Sequence, residues 1–296
     1  NRICEYGFLD DPDECRRCWF RRVPSWVRAL QILVGWPERH PVLHFSQEAI
    51  AARAFTKQYW TRLKKNLQRL GCAIVYNSFI ASSLRPYVDD VRVIPSGVDT
   101  EKFREPDSIS LADGSPGRPV RVFLPGRAND PLKGLNTLRQ AACMLREKGI
   151  ELEVHYTAAM EGPQPEPWMV NHHWVSHDEL PALYRDMDIV VVPSTWVEPF
   201  GITAVEGMSV GLPVVASRIG GLAESIVHGR TGYHFEAGRA DDLANRLESL
   251  IRSPKERAIL GAQGARRARE VFDWKKIVER HYLPLVSELI EKSTRN

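Results

Sequence analysis

The stretch from Ser194 to Glu224 constrains the fold of this chain more than any other. Directly before it, residues 188–193 (DIVVVP) form a β-branched apolar run, typical of a strand buried on both faces of a parallel sheet. Residues 200–210 place apolar side chains at helical spacing and stop at a glycine, which favours a helix end. Residues 213–217 (PVVAS) then predict the next buried strand. The stretch is therefore a strand–loop–helix–strand unit, which indicates an α/β fold.

The start of this helix has the properties of an anion site. Its first turn offers unpaired backbone N–H groups and the positive end of the helix dipole, which suit a phosphate; it is formed by Phe200, Gly201, Ile202 and Thr203. Glu198 lies just before this turn, and Glu206 lies further along the helix, where a carboxylate can accept hydrogen bonds from a ribose diol. A carboxylate on each side of a phosphate site fits a nucleotide-sugar. The alternative is an ordinary amphipathic helix whose glutamates face solvent.

The spacing of the two glutamates carries a family resemblance. Glu198 and Glu206 are separated by seven residues within EPFGITAVEGMSVGLPVVAS, which GGLAE follows. This pattern resembles the signature of the retaining glycosyltransferases of family 4 (glycosyl transferases group 1), which have the GT-B fold of two Rossmann-like domains. The resemblance implies transfer of a sugar from a UDP- or GDP-linked donor to a hydroxyl of a glycan or lipid-linked acceptor, with retained anomeric configuration. It covers the whole C-terminal domain and the second half of the N-terminal one.

Two basic residues extend the predicted donor site. Gly126 and Arg127 follow a predicted strand, and Lys133 opens the next helix. Loops at the carboxyl ends of parallel strands are where open α/β sheets bind ligands, and an Arg fork with a Lys point charge suits a diphosphate. Their six-residue spacing also resembles the phosphate-binding pair of the family. Taken alone, two basic loop residues would be surface charges.

Further site residues follow from the resemblance. Val175 and Ser176 match the place where relatives hold the base through backbone groups, whereas we interpret His177 as a helix-start residue. Gly220 and Gly221 are expected to let the backbone turn close to the donor, and Glu224 to cap or brace that loop.

The implied reaction needs few protein groups. Arg127, Lys133 and the helix start would stabilise the departing diphosphate, and Glu198 would bind sugar hydroxyls near an oxocarbenium-like centre. We expect no separate strong base, because in the family's usual mechanism the leaving phosphate oxygen takes the acceptor proton. We also expect no divalent metal and no other cofactor, since the sequence near the site holds no DxD-like motif. Relatives also place a histidine of the N-terminal domain beside the reacting sugar. His44 is a possible counterpart, but a packed or surface histidine is the favoured reading.

Composition restricts the partners. The formal net charge is +3, so no nucleic-acid partner is indicated, and no signal segment or membrane-spanning run is present. We therefore expect a cytoplasmic protein. A helix predicted over 47–70 carries a basic face that can contact an anionic membrane peripherally, although a solvated face of a packed helix is the favoured interpretation.

The five cysteines fall into two groups. Cys72 and Cys143 are predicted to be core residues. Cys4, Cys15 and Cys18 cluster with one CxxC spacing, one ligand short of a closed zinc site, and reduced or locally paired thiols are favoured over metal.

The chain divides into three predicted regions. Residues 1–108 are expected to be a partial N-terminal α/β domain on the acceptor side, lacking its first part, and a linker is predicted over 107–118. Residues 109–274 form the donor-binding domain, a doubly wound parallel sheet, and 275–296 a terminal helix that packs back toward the N-terminal domain. The predicted strands are 72–76, 91–99 (with a turn), 120–125, 151–157, 173–176, 189–193, 213–217 and 231–236. The predicted helices are 134–148, 178–187, 200–210, 221–228, 239–252, 254–271 and 275–293.

Two other functions compete with sugar transfer. One is a non-catalytic nucleotide-sugar-binding subunit that needs a partner or a missing segment for activity. The other is a different GT-B chemistry such as sugar-nucleotide epimerisation, against which the EPFG…E signature argues.

Overall fold

The computed structural model describes residues 57–104, 118–158 and 166–295 of the 296-residue chain. The chain divides into two compact units, of which the first ends at Arg92 and the second begins at Val93. The boundary predicted at residues 108–109 and most of the linker lie outside the described residues and stay predictions. The same holds for Cys4, Cys15, Cys18, His44 and the first part of the helix predicted over 47–70.

The first unit contains short elements. Asn77 begins the second helix, where its side-chain oxygen accepts a hydrogen bond of 2.8 Å from the amide of Ile80. Two short strands form a two-stranded sheet in this region. The elements in chain order are α1 (Lys57–Leu67), β1 (Ala73–Val75), α2 (Ser78–Leu84) and β2 (Val91–Val93).

A six-stranded, all-parallel sheet forms the centre of the second unit. Its strand order is β5-β4-β3-β6-β7-β8, so the chain first moves outward in one direction from β3 and then crosses back and moves outward in the other. This order defines a doubly wound Rossmann-like sheet with a switch point between β3 and β6. The strands are β3 (Val120–Leu124), β4 (Leu152–Tyr156), β5 (Met169–Asn171), β6 (Ile189–Val192), β7 (Val214–Ser217) and β8 (Gly232–Phe235). The predicted α/β class is confirmed.

Helices cover both faces of this sheet. They are α3 (Leu135–Glu147), α4 (Leu180–Arg185), α5 (Ile202–Ser209), α6 (Leu222–Ser225), α7 (Ala240–Arg252) and α8 (Pro254–Val271). Two further helices, α9 (Trp274–Ile277) and α10 (Leu283–Arg295), follow in the sequence. Alternate residues of one strand enter opposite core clusters: Ile189 and Val191 pack with α3 and α7, whereas Val190 and Val192 pack with α4 and α5. Each such fully buried aliphatic side chain stabilises the fold by about 2 kcal/mol. This two-sided burial explains the uninterrupted apolar sequence of β6.

The strand predicted over 173–176 is wrong. The edge strand is β5, four to five residues earlier, where Val154 of β4 pairs with Met169. It ends because Asn171 accepts a hydrogen bond of 2.9 Å from the amide of His173 and His173 has a positive φ of 56°, which no regular strand permits. The β-branched valine at 175 therefore lies in a loop.

Two helices also differ from their predicted lengths. The helix predicted over 221–228 is the single turn α6, because Ile226 is extended at φ −99° and ψ 137°. The helix predicted over 275–293 is composite, with a π-helical turn over Val278–Tyr282 between α9 and α10.

Cys72 and Cys143 are half-buried rather than core residues. In the described part of the chain, no helix combines the length and apolarity that crossing a membrane requires.

Residues 98–100 are hydrogen-bonded to residues 272–274, where α8 gives way to α9 in the same unit. The amide of Val98 donates to the carbonyl of Phe272 at 2.9 Å, and the amide of Trp274 donates to the carbonyl of Val98 at 3.2 Å. Thr100 Oγ1 donates to the carboxylate of Asp273 at 2.6 Å. These bonds fix the position of residues 101–104, which reach the site described below.

Asp188 provides a first test of this architecture. Its side chain is buried and accepts from Arg118 Nη1 at 2.6 Å, Arg118 Nη2 at 2.9 Å and the amide of Arg121 at 2.8 Å. Asp188→Ala leaves the guanidinium partner without its carboxylate, and we expect it to lower the free energy of unfolding by about 3 kcal/mol. Chemical denaturation measures this change.

Asp186 supplies the matched control. Its side chain is 63% exposed and pairs with the neighbouring Arg121 at 2.7 Å. Asp186→Ala is expected to cost less than about 1 kcal/mol. Equal losses in the two variants would contradict the assigned role of the buried pair.

Candidate donor site

A cleft opens at the switch point of the sheet. Its volume is about 160 Å³, and it lies where the carboxyl ends of β3 and β6 meet. Open α/β sheets bind ligands at such a position. The lining residues are Leu124, Pro125, Gly126, Arg127, Lys133, Val191, Val192, Pro193, Ser194 and Thr203. Gly126, Arg127, Lys133 and Thr203, which the sequence predicted for the donor site, thus share one cleft.

Lys133 is placed by a short 3-10 turn over Pro131–Lys133. Asp130 begins this turn by accepting from the amide of Leu132 at 3.0 Å, and Gly134 ends it in the left-handed region at φ 80°. The carbonyl of Leu132 accepts from the amide of Thr195 at 2.9 Å, which ties the turn to the end of β6. The Lys133 side chain therefore reaches across the cleft.

Arg127 lines the same cleft from the loop that follows β3. The preceding Gly126 is held by Thr157, whose Oγ1 accepts from the Gly126 amide at 2.8 Å and donates to its carbonyl at 2.6 Å. Arg127 itself is exposed. Its guanidinium can turn toward an anion at the mouth of the cleft.

Glu198 is the acidic centre of the cleft wall. It is buried, with 7% of its surface exposed, so the alternative of a solvent-facing glutamate is wrong. Three donors converge on one carboxylate oxygen, Oε1: Lys133 Nζ at 2.7 Å, Ser194 Oγ at 2.7 Å and Trp196 Nε1 at 2.9 Å. Lys133 Nζ also lies 5.3 Å from the centre of the Trp196 ring. Since these bonds occupy Oε1, a ligand hydroxyl would approach Oε2.

The start of α5 has the geometry of an anion site. Gly201 adopts φ 88°, and a Cβ on it would lie 2.3 Å from Leu222 Cδ2, so only glycine fits there. The amides of Ala204 and Val205 make the first intrahelical bonds, to the carbonyl of Gly201. The amides of Ile202 and Thr203 therefore precede the hydrogen-bond ladder of α5 and point toward its N-terminal end.

The two side chains that flank Gly201 lie on opposite sides of the backbone. Phe200 is buried and meets Phe272 edge to face at 5.4 Å between ring centres, which anchors the turn. Ile202 is exposed. Both were predicted as donor-site residues; the Phe200 side chain belongs to the core, and the amide of Ile202 is one of those that precede the hydrogen-bond ladder.

Glu206 is buried too, with 4% of its surface exposed. Its Oε2 accepts from Tyr184 Oη at 2.9 Å, and its Oε1 lies 3.7 Å from His177 Nε2. Burial raises the pKa of the Glu206 carboxyl above its usual value, although Tyr184 and His177 oppose this shift. The solvent-facing alternative is therefore wrong for this glutamate as well.

The loop from Val175 to His177 reaches this second carboxylate. Ser176 Oγ donates to Glu179 at 2.6 Å and accepts from the Glu179 amide at 3.3 Å, a capping arrangement before α4. Val175 is half-buried. His177 precedes the first helical residue, Leu180, and contacts Glu206 instead of serving the helix alone. The base-binding role of Val175 and Ser176 stays a prediction.

The glycine pair after β7 lies against the backbone of Glu198. The amide of Gly221 donates to the Glu198 carbonyl at 2.7 Å, and a Cβ on Gly220 would lie 2.4 Å from the same oxygen. Glu224 has an exposed side chain, and its carbonyl accepts from Arg267 at 3.1 Å. The pair thus supports the loop that carries Glu198.

Sequence reasoning missed three side chains that hold the two glutamates: Ser194, Trp196 and Tyr184. Ser194 and Trp196 lie within the PSTWVEPFG segment, so their nearness to Glu198 was available as a signal. Tyr184 gave no such signal, because it lies 22 positions before Glu206 in another helix. Across residues 57–104, 118–158 and 166–295, no group of three His, Cys, Asp or Glu side chains has the arrangement of a metal site.

Comparison with known proteins shows that this chain is similar to glycosyltransferases. Residues 169–267 match the sequence profile of the family "Glycosyl transferases group 1". The chain is 34% identical over 206 residues to a D-inositol 3-phosphate glycosyltransferase of Arthrobacter sp. (strain FB24), covering 64% of this chain and 48% of that protein. It is 32% identical over 199 residues to an MMP alpha-(1->4)-mannosyltransferase of Mycolicibacterium hassiacum, covering 64% and 46%. The chain thus spans about half the length of these curated relatives.

A solved structure shows the same fold. The Anabaena protein HepE, determined in complex with UDP and glucose, superposes with a TM-score of 0.66 at 22% identity, over 81% of this chain and 76% of its own. This likeness confirms the predicted α/β fold of GT-B type with a Rossmann-like C-terminal domain.

Proposed function

We propose that this chain binds a UDP- or GDP-linked sugar in the cleft between β3 and β6 and transfers the sugar, with retained configuration, to a hydroxyl of a glycan or lipid-linked acceptor. The observation that carries the proposal is the ion pair of the half-buried Lys133 with the buried Glu198, close to the start of α5. A cation, free amides and a carboxylate there match the successive parts of such a donor. The glycosyltransferase relatives support the same reaction class.

The positive groups of the cleft suit a departing diphosphate. Negative charge on the bridging oxygen grows as the bond from sugar to phosphate breaks, so donors aimed at it lower the barrier. Lys133, Arg127 and Thr203 line the cleft, and the amides of Ile202 and Thr203 precede the hydrogen-bond ladder of α5. We propose that the β-phosphate binds there.

Glu198 would hold the sugar. Its Oε2 faces away from the three donors on Oε1 and would accept a sugar hydroxyl, while its charge favours an oxocarbenium-like centre. The leaving phosphate oxygen would take the acceptor proton, so the proposal includes neither a separate strong base nor a divalent metal. Glu206 would accept from the ribose, and the backbone at Val175 and Ser176 would hold the base.

The cellular location of the protein is also a proposal. We place the protein in the cytoplasm, with the exposed cations Arg62 and Lys65 of α1, and Arg69 just after it, available for peripheral contact with anionic lipid. Lys64 of the same helix packs over the Tyr87 ring at 5.2 Å and belongs to the unit's own packing.

Product analysis tests the proposed function. The chain is incubated with UDP- and GDP-sugars and with simple alkyl glycosides as acceptors, and release of nucleoside diphosphate is measured with the anomeric coupling of the product by NMR. Release with transfer to an α-configured product from an α-linked donor is expected. A folded chain that releases no diphosphate from any donor would contradict the proposal, and a β-configured product would contradict retention.

A further inference from the structure

The side chain of Tyr184 lies behind Glu206, on the side away from solvent. It is fully buried, and its ring meets the rings of Phe103 and Phe123 edge to face at 5.9 Å and 5.2 Å between centres. The aromatic contacts leave the hydroxyl one direction, toward α5. There it contacts Glu206 Oε2 at 2.9 Å and the carbonyl of Thr203 at 3.1 Å.

These contacts give the two oxygens of Glu206 different surroundings. Oε2 is turned into the core by Tyr184, whereas Oε1 is turned toward His177, whose side chain is 62% exposed. The His177 ring is in turn held by Lys102, whose Nζ lies 2.9 Å from Nδ1 and 2.6 Å from a carboxylate oxygen of Asp178. A ligand hydroxyl that enters from the cleft side therefore meets Oε1.

We infer that Tyr184 is a positioning residue for nucleotide recognition: it fixes the Glu206 carboxylate so that one oxygen, Oε1, is presented to the ribose hydroxyls of the donor. This inference rests on the proposed function, since it requires a nucleotide in the cleft. It adds to that function the source of selectivity for ribose over deoxyribose. The contact of the same hydroxyl with the Thr203 carbonyl links this selectivity to the phosphate-binding turn.

The Tyr184→Phe variant tests the inference, because it keeps the buried ring and removes only the hydroxyl. Titrations with UDP, GDP and their 2′-deoxy and 3′-deoxy analogues give the preference for each ribose hydroxyl. Because one ribose hydroxyl would donate to the charged Glu206 carboxylate, we expect the unmodified protein to prefer the ribonucleotide over at least one analogue by roughly 10-fold. In Tyr184→Phe, this preference should fall to about 2-fold, because the carboxylate can rotate between orientations. Affinity for the deoxy analogue should change little.

The pH dependence of ribonucleotide affinity distinguishes loss of the Tyr184 hydrogen bond from loss of packing, because loss of packing alone would not change it. The groups that face Glu206 are Tyr184, His177 and, further away, Lys102, and each of them lowers the pKa of the carboxyl against its burial. Removing the Tyr184 hydroxyl should therefore shift the loss of ribonucleotide affinity on acidification toward higher pH. The phosphate of the ligand also titrates with pH, but its effect on affinity is the same for both proteins. It therefore cancels when the variant is compared with the unmodified protein at each pH.

Tyr233→Phe is the matched control. Tyr233 Oη also donates to a glutamate, Glu256, but that pair lies on α8 and β8, away from the cleft. This variant should keep the full preference for the ribonucleotide. If Tyr184→Phe does not fold, the double variant Tyr184→Phe/Glu206→Ala, which removes the buried Glu206 carboxylate together with the hydroxyl, replaces it and is compared with Glu206→Ala alone.

The outcomes separate the inference from the function on which it rests. An unmodified protein that binds neither UDP nor GDP contradicts the proposed function. A protein that binds one of them but ignores both deoxy changes, or a Tyr184→Phe variant that keeps the preference and the pH profile, overturns the role of Tyr184 alone. With the double variant, a ribose preference below that of Glu206→Ala does the same, because Tyr184 should have no effect once the side chain that it positions is gone.

Discussion

Glu198→Gln is expected to lower the rate of sugar transfer by about 1,000-fold, the loss typical of removing one preorganised electrostatic group from an active site. The glutamine keeps the shape of the side chain, but it removes the negative charge to which Lys133, Ser194 and Trp196 all donate. Lys133 then loses its partner in a poorly solvated cleft, and the oxocarbenium-like centre loses its nearest anion. Steady-state release of nucleoside diphosphate measures the change.

Binding separates a catalytic loss from a structural one. The affinity of Glu198→Gln for the free nucleoside diphosphate should stay close to that of the unmodified protein or rise, since Lys133 is released for the phosphate. Glu224→Gln, in an exposed side chain of the same sequence motif, should leave the rate unchanged. A Glu198→Gln rate within about 10-fold of the unmodified rate would contradict the assigned role.

The second large effect is expected at Gly134, on which the position of Lys133 depends. Gly134 has φ 80°, and a Cβ there would lie 1.9 Å from the carbonyl oxygen of Pro193, at the end of β6. Gly134→Ala therefore combines left-handed strain with a clash against backbone that cannot rotate away. We expect a loss of about 3 kcal/mol in the free energy of unfolding. Nucleotide affinity should fall as well, because Lys133 is displaced from the cleft.

Gly149→Ala separates the left-handed strain from the clash with the backbone. Gly149 has a similar φ of 75°, but a Cβ there would meet no atom within 4 Å. This variant should lose only about 1 kcal/mol and keep nucleotide affinity. Denaturation and titration of both variants measure the difference. Equal losses would show that the contact with Pro193 does not matter.

The sequence was sufficient to predict the sheet and the shared cleft. Apolar runs such as 189–192 are bounded by helix signals, and parallel strands place their carboxyl ends at one edge, so the nearness of Arg127, Lys133 and Thr203 follows from the order of elements. The edge strand was the exception. Its position depends on the turn between Asn171 and His173, which the β-branched pattern further along the chain obscured.

The partners of the two glutamates were not predictable in the same way. Nothing in the sequence indicates that three donors converge on a single oxygen of Glu198, because that depends on rotamers set by the Leu132 to Thr195 contact. The Tyr184 to Glu206 bond likewise joins two helices whose relative rotation is set by core packing. Such contacts arise at the level of tertiary packing, where spacing rules no longer apply.

Calorimetric titration of the chain with UDP, GDP and ADP tests the donor site most directly, together with Lys133→Ala, Glu206→Gln and the surface control Lys148→Ala. We predict binding of UDP or GDP, weakened by roughly 10- to 100-fold in Lys133→Ala and by roughly 10-fold in Glu206→Gln. Lys148, which pairs with Glu248 on the surface, should be replaceable without effect. A folded chain that binds none of the three nucleotides, or binds them equally well in all three variants, would contradict the donor site.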